Sequence, residues 1–143
     1  MSDFSEYEQS IEVGHAMTNW TRNDLERIGA AEELQLATFK KDGTLRQSVT
    51  IWVVRVGDDL YVRSYRGREA AWFRHIQLQH KGQISVGGVT KEVMLVDVSS
   101  DEALNNQIDA AYRSKYRRYS ATYVGPMIAP QARATTLKLV PSA

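Results

Sequence analysis

Arg63, Arg66 and Arg68 fall within six residues, with Ser64 and Gly67 between them. They stand where an alternating segment, Leu60 to Ser64, breaks at Tyr65-Arg66-Gly67. Apolar residues then resume at helical spacing with Trp72, Phe73 and Ile76. A helix start exposes unpaired N–H groups and the positive end of a dipole. A hydroxyl and several guanidinium groups around such a start suit a phosphate, since arginine can hold two oxygens at once. One or two arginines there would be an ordinary solvated turn. Three at one junction point to an anion site.

Other chemistries find less support. The chain has no cysteine, which excludes disulfides, thiolate catalysis and cysteine-ligated zinc. Its histidines, His15, His75 and His80, lack metal-ligand spacing, so no metal is expected. No nucleophile–base pair or carboxylate dyad of the kind hydrolysis needs is visible. The 18 basic and 17 acidic side chains nearly cancel. That balance argues against a dedicated nucleic-acid or membrane surface and makes any basic patch local. A nucleic-acid groove built on Arg63, Arg66, Arg68 and Arg74 would need stacking aromatics such as Tyr61 and Tyr65, and ranks last. No signal peptide or membrane span is seen, so a soluble cytoplasmic protein is the expectation.

The elements that must position the junction follow from periodicity. With 143 residues the chain is one domain by length, here divided into an acidic N-terminal arm, residues 1–20, and a domain over residues 21–143. Thr21 with Asp24 marks a helix start, and Leu25 and Ile28 form its inward side. Leu34 to Phe39 reads as a strand, Lys40-Lys41-Asp42-Gly43 as a hairpin turn, and Leu45 to Val56 as one long strand. That strand has a second face, Arg46, Ser48, Thr50, Trp52 and Val54, polar early and apolar late, which suits a strand whose start borders a site.

After a helix beginning near Arg68, Gly82 to Val86 and Val89 to Val98 form a hairpin through Gly87-Gly88. Ser99 and Glu102 have capping-box spacing and open a helix carrying Leu104, Ile108, Tyr112, Tyr116 and Tyr119. A loop holding Gly125, Pro126 and Pro130 leads to a last strand from Arg133 to Val140. The result is a mainly β fold with flanking helices, a six-stranded antiparallel barrel.

With this order, the chain resembles the flavin-binding split-barrel superfamily, which includes pyridoxamine-phosphate oxidases, small flavin reductases and deazaflavin-dependent nitroreductases. It is most similar to a bacterial family of unknown function within that group, through the run Ile51-Trp52-Val53-Val54-Arg55-Val56-Gly57-Asp58-Asp59-Leu60-Tyr61-Val62-Arg63-Ser64-Tyr65-Arg66-Gly67. The resemblance covers about residues 34–140 and implies a six-stranded antiparallel split β-barrel. Lys40 to Arg46 looks like the basic first hairpin of the deazaflavin reductases, where residues matching Lys41 and Arg46 help hold the cofactor's phosphate-bearing tail. Arg63 to Trp72 looks like the loop that grips the flavin phosphate, which implies cofactor contacts from Arg63, Ser64, Tyr65, Arg66, Gly67 and Arg68. Tyr116, Tyr119 and Tyr123, followed by Arg133, resemble the tyrosine-rich segment bordering the substrate pocket.

The resemblance therefore implies a flavin-type oxidoreductase passing a hydride to a small organic substrate. The implied cofactor is FMN, with a deazaflavin as the alternative, held near the interface of a homodimer. Tyr116, Tyr123 and His75 are the candidates for proton transfer. Helical packing is the plainer use of the tyrosines, and core packing that of Trp72 and Phe73. The strand Val49-Thr50-Ile51-Trp52-Val53-Val54 lacks the basic pattern of pyridoxamine-phosphate oxidases, which argues against that activity. The rival from another class is a non-catalytic split barrel that carries or senses another phosphate-bearing small molecule.

Overall fold

A computed structural model of the chain describes residues 19–142; of the N-terminal arm, residues 1–18 lie outside that range. Helix α1 (Arg22–Ala30) starts as expected, with the Thr21 hydroxyl accepting from the Asp24 amide at 3.0 Å. Strand β1 (Glu33–Thr38) follows. The hairpin turn at Lys40–Gly43 closes through the bonds of the Lys40 amide to the Thr44 carbonyl and of the Gly43 amide to the Lys40 carbonyl.

The long strand expected over residues 45–56 is two strands, β2 (Val49–Trp52) and β3 (Val54–Val56), interrupted at Val53. Side chains from elsewhere satisfy the Val53 backbone at this break. Its N–H donates to the Tyr116 hydroxyl at 3.4 Å, and its carbonyl accepts from Lys115 Nζ at 2.5 Å. The interruption raises the strand count to seven.

Strand β4 (Asp59–Val62) pairs with β3 across the Gly57-Asp58 turn. A single 3₁₀ turn (Gly67–Glu69) and helix α2 (Ala71–Gln79) come next, then β5 (Lys81–Val86) and β6 (Val89–Asp97). Gly87 and Gly88, at φ 55° and 83°, supply the positive φ that this two-residue hairpin requires.

Helix α3 (Glu102–Lys115) is capped by Asp101, whose carboxylate accepts from the Leu104 amide at 3.1 Å. Ser99 is not the cap, because its amide and hydroxyl are both bonded to Asp97 Oδ1. The expected loop around Gly125 and Pro126 is instead helix α4 (Ala121–Ile128), followed by the short α5 (Pro130–Arg133) and strand β7 (Leu137–Pro141). Burial of Val124 and Met127 offsets the helix bond that Pro126 cannot make, and Pro130 opens α5 where its missing N–H costs little.

All strand pairs are antiparallel, in the order β2-β1-β5-β6-β7-β4-β3. The two edges, β2 and β3, are joined through Val53, so the sheet rolls back on itself into a nearly closed barrel. Its interior is apolar, with Leu34, Leu36, Leu60, Ile84, Val93 and Leu139 buried beneath Ile28 of α1 and Phe73 and Ile76 of α2. Trp20 belongs to this core and donates from Nε1 to the Leu139 carbonyl at 3.0 Å. A second cluster, with Val54, Tyr61, Ile108, Tyr112, Tyr116 and Met127, packs α3 and α4 against the outside of the closing strands. Among the described residues, no helix is long and apolar enough to cross a membrane.

Candidate functional site

Strand β4 ends at Val62, and the next two side chains are fully enclosed: Arg63 is 1% exposed and Ser64 0%. Arg63 is the centre of a buried polar network. Its Nε donates to Thr136 Oγ1 at 2.9 Å, and Nη1 donates to Asp109 Oδ1 at 2.6 Å and to the Met127 carbonyl at 2.9 Å. Nη2 donates to Asn105 Oδ1 at 2.8 Å and to the Asn105 carbonyl at 3.3 Å. These bonds engage every guanidinium donor.

Arg63 therefore has no guanidinium donor left for a phosphate, against the expectation from sequence. It ties β4 to α3, α4 and the segment before β7. A cation can lie this deep because Asp109 neutralises it and neutral oxygens satisfy its remaining hydrogens.

The same segment props the following turn. The Ser64 amide donates to Thr135 Oγ1 at 2.8 Å, and the Gly67 amide closes the turn on the Ser64 carbonyl at 2.9 Å. Gly67, at φ 74°, is pressed against Gln131, where a Cβ would approach Cγ to 2.4 Å. Tyr65 and Arg66 project from the tip of this turn and are exposed.

Beside the turn lies a cleft of about 710 Å³. Strand β2 supplies one part of its wall from Val49 to Trp52. Arg63, Ser64, Tyr65 and Arg66 supply another, and the start of α2 a third through Ala70, Ala71 and Trp72; Thr122, Tyr123 and Met127 of α4 complete it. Helix α2 begins without a side-chain cap, so its first amides are unpartnered within the helix and lie at the cleft. Ser64 Oγ is buried on the same wall with no hydrogen-bond partner among the described residues. An orphaned hydroxyl beside an uncapped helix start and an exposed guanidinium fits an anionic group entering the cleft.

The residues expected at a cofactor thus separate. Arg63, Ser64, Tyr65 and Arg66 meet on the cleft wall, although the Arg63 guanidinium commits its donors to the buried network. Gly67 shapes the turn but does not line the cleft. Arg68 lies 5.5 Å over the Phe73 ring, with Nη1 3.5 Å from the Ala134 carbonyl, outside the lining. Lys41 is exposed on the first hairpin, and Arg46 donates to the Phe39 carbonyl at 2.7 Å; neither lines the cleft.

The candidates for proton transfer separate in the same way. Tyr116 is 0% exposed, and its hydroxyl donates to the Glu32 carbonyl at 2.5 Å. Burial raises its pKa above the ordinary phenol value, and its ring is packed behind Trp52 and does not line the cleft. His75 lies on α2 away from the cleft lining, its pKa lowered by partial burial and then by Arg46 and Arg74. Tyr123 is 62% exposed on the cleft wall. Phe73 is core as expected, whereas Trp72 is half-buried and faces the cleft. The sequence reading missed Trp52, although the polar-then-apolar face of its strand already carried the signal. Among the described residues, no group of three or more His, Asp or Glu side chains could hold a metal ion.

Solved structures similar to this one confirm the architecture. The conserved hypothetical protein Rv2991 from Mycobacterium tuberculosis superposes with a TM-score of 0.57 at 13% identity, covering 88% of this chain and 82% of that one. The heme storage protein HutZ from Vibrio cholerae gives 0.55 at 13% identity, with coverages of 85% and 90%. A putative 5-nitroimidazole antibiotic resistance protein from Bacteroides thetaiotaomicron gives 0.52 at 13% identity, with coverages of 88% and 82%. At these identities the shared property is the split-barrel fold. No curated protein sequence matches the chain. Residues 24–139 match the model of one sequence family, and the chain belongs to that family, described as an uncharacterized protein conserved in bacteria (DUF2255).

Proposed function

We propose that the cleft binds a flavin-type cofactor and that the protein is an oxidoreductase passing a hydride to a small organic substrate. FMN is the first choice and a deazaflavin the alternative. The observation that carries this reading is the buried, unpartnered Ser64 hydroxyl beside Arg66 at the uncapped start of α2. A phosphate there would accept from Ser64 Oγ, from the first amides of α2 and from the Arg66 guanidinium.

When bound, the flavin supplies the hydride chemistry, and the chain orients it and shields it from water. Val49, Ile51, Trp52 and Met127 give the cleft an apolar wall against which a ring system would rest. The phenols of Tyr65 and Tyr123 are the proton-bearing groups at its exposed rim. A homodimer belongs to this proposal, with a second copy covering the open side of the cleft; sedimentation velocity tests it.

A second reading is favoured by the lining itself. Among the described residues the cleft wall holds no His, Lys, Asp or Glu, so it offers no strong acid–base group. A carrier or sensor of another phosphate-bearing molecule needs none.

The absorbance spectrum of the purified protein, followed by titration with FMN and with reduced deazaflavin, separates the two readings. A yellow protein, or saturable uptake of either cofactor, supports the flavin. A colourless protein that takes up neither but still binds inorganic phosphate at Ser64 and Arg66 supports the carrier.

A further inference from the structure

We propose that Trp52 is the stacking platform for a planar aromatic ring in the cleft, held ready by an aromatic column that also supports the anion-binding end. This deepens the reading of the cleft as a ligand site and assigns a residue that sets which ligands enter it.

The column begins at the cleft wall. Trp52 is half-buried, and its ring lies parallel to that of Tyr116, with centroids 3.8 Å apart and planes 3° apart. Tyr119 abuts it at 5.4 Å and 41°. Tyr116 is in turn stacked near Tyr112 at 6.2 Å and 25°, and the Arg63 guanidinium lies 5.5 Å over the Tyr112 ring. The next residue after Arg63 is Ser64, whose free hydroxyl is on the cleft wall. Both ends of one buried stack therefore surface in the same cleft, one presenting an indole and the other the anion-binding turn.

Two features set Trp52 apart from an ordinary core tryptophan. Trp20 shows what a core indole looks like here, 9% exposed with its N–H bonded to Leu139. Trp52 has one face covered by Tyr116 and retains exposed surface on the cleft wall. Its support is also unusually fixed. Tyr116 is held through its hydroxyl by the Glu32 carbonyl, and the Val53 amide next to Trp52 donates to that same hydroxyl. A ring locked in this way loses little freedom when a ligand stacks on it, which is how preorganisation raises affinity. Stacking on aromatic side chains tolerates different ring systems, so the platform selects for planarity while Ser64 and Arg66 select for charge.

The test uses the full chain with FMN, riboflavin, inorganic phosphate and a naphthalene sulfonate dye as a planar anion that is not a flavin. Trp52→Leu should weaken every ring ligand by about tenfold or more. Trp52→Phe, which can still stack, should cost less than about threefold. Phosphate binding should be the same in all three proteins. In a Trp72→Phe background, bound flavin emission should be quenched and should recover when Trp52 is also replaced by Phe; this second reading covers the case in which the Leu variant does not fold. If the dye binds with the same dependence on Trp52 but no flavin does, the platform stands and the flavin reading falls. Ring affinities within twofold of wild type in both Trp52 variants, quenching unchanged without Trp52, or no binding of any ring ligand would overturn the assignment.

Discussion

Arg63 and Asp109 form an ion pair of 2.6 Å between side chains that are almost wholly withdrawn from solvent. The partners are 46 residues apart in the chain, and the bond joins the end of β4 to the middle of α3. Asp109 also receives Arg133 at 2.5 Å through its other oxygen, so one carboxylate organises both arginines beneath the turn that carries Ser64 and Arg66.

Removing Arg63 leaves Asp109 with Arg133 alone and takes the buried donor from Asn105, Thr136 and the Met127 carbonyl. Arg63→Met should therefore lower unfolding free energy by about 3–5 kcal/mol, since a buried ion pair is broken and buried acceptors are left unpaired. Arg63→Lys should recover little, because an ammonium cannot reproduce the five-donor fork. Urea unfolding followed by circular dichroism measures both. A loss below about 1 kcal/mol for Arg63→Met would contradict the structural role assigned here.

Arg66 and Arg68 read alike in the sequence but not in the fold. Arg66→Ala should weaken FMN by about 1.5–3 kcal/mol, because a charge-assisted bond to phosphate is lost. Arg68→Ala should leave the affinity within about twofold, since its guanidinium lies over Phe73 outside the cleft. Fluorescence titration of the two single variants decides the matter, and equal losses would remove the distinction.

Gly67→Ala brings together two costs. An alanine at φ 74° loses about 1–2 kcal/mol to left-handed backbone strain. Its Cβ also displaces Gln131, an exposed side chain that can swing away. Adding Gln131→Ala should therefore restore only a small part of the lost melting temperature. Full restoration would mean that contact, and not backbone conformation, requires the glycine.

Lys115 makes stability depend on alkaline pH. Partial burial lowers its pKa from 10.5 to about 8. Below pH 8 the ammonium is charged in both folded and unfolded chains, and the burial cost is fully present. Between the folded value of about 8 and the unfolded value of 10.5, the unfolded chain binds more protons, so this contribution to stability rises with pH. Solvent screening of this half-buried group reduces the gain to roughly 1 kcal/mol. Melting curves of wild type and Lys115→Met across that interval should show wild type gaining relative to the variant. The opposite trend would mean that the bond to the Val53 carbonyl favours the ammonium more than burial disfavours it.

Local chemistry in the sequence already determined much of this protein. Thr21 capped its helix, Gly87-Gly88 made its hairpin, alternation marked most strands, and the junction after β4 stood out by its cluster of arginines. These features depend on neighbours a few residues away, so the sequence carries them directly. Only the tertiary structure decided which charges were free. Asp109, Asn105 and Thr136 engage Arg63 from distant elements, leaving Ser64 and Arg66 at the cleft, and no spacing rule reveals partners that far along the chain. The same holds for Tyr116, which looked like a proton donor until burial and the Trp52 ring made it part of the scaffold. The division of Leu45 to Val56 at Val53 also depends on Lys115 and Tyr116, side chains that reach the break only once α3 has packed against it.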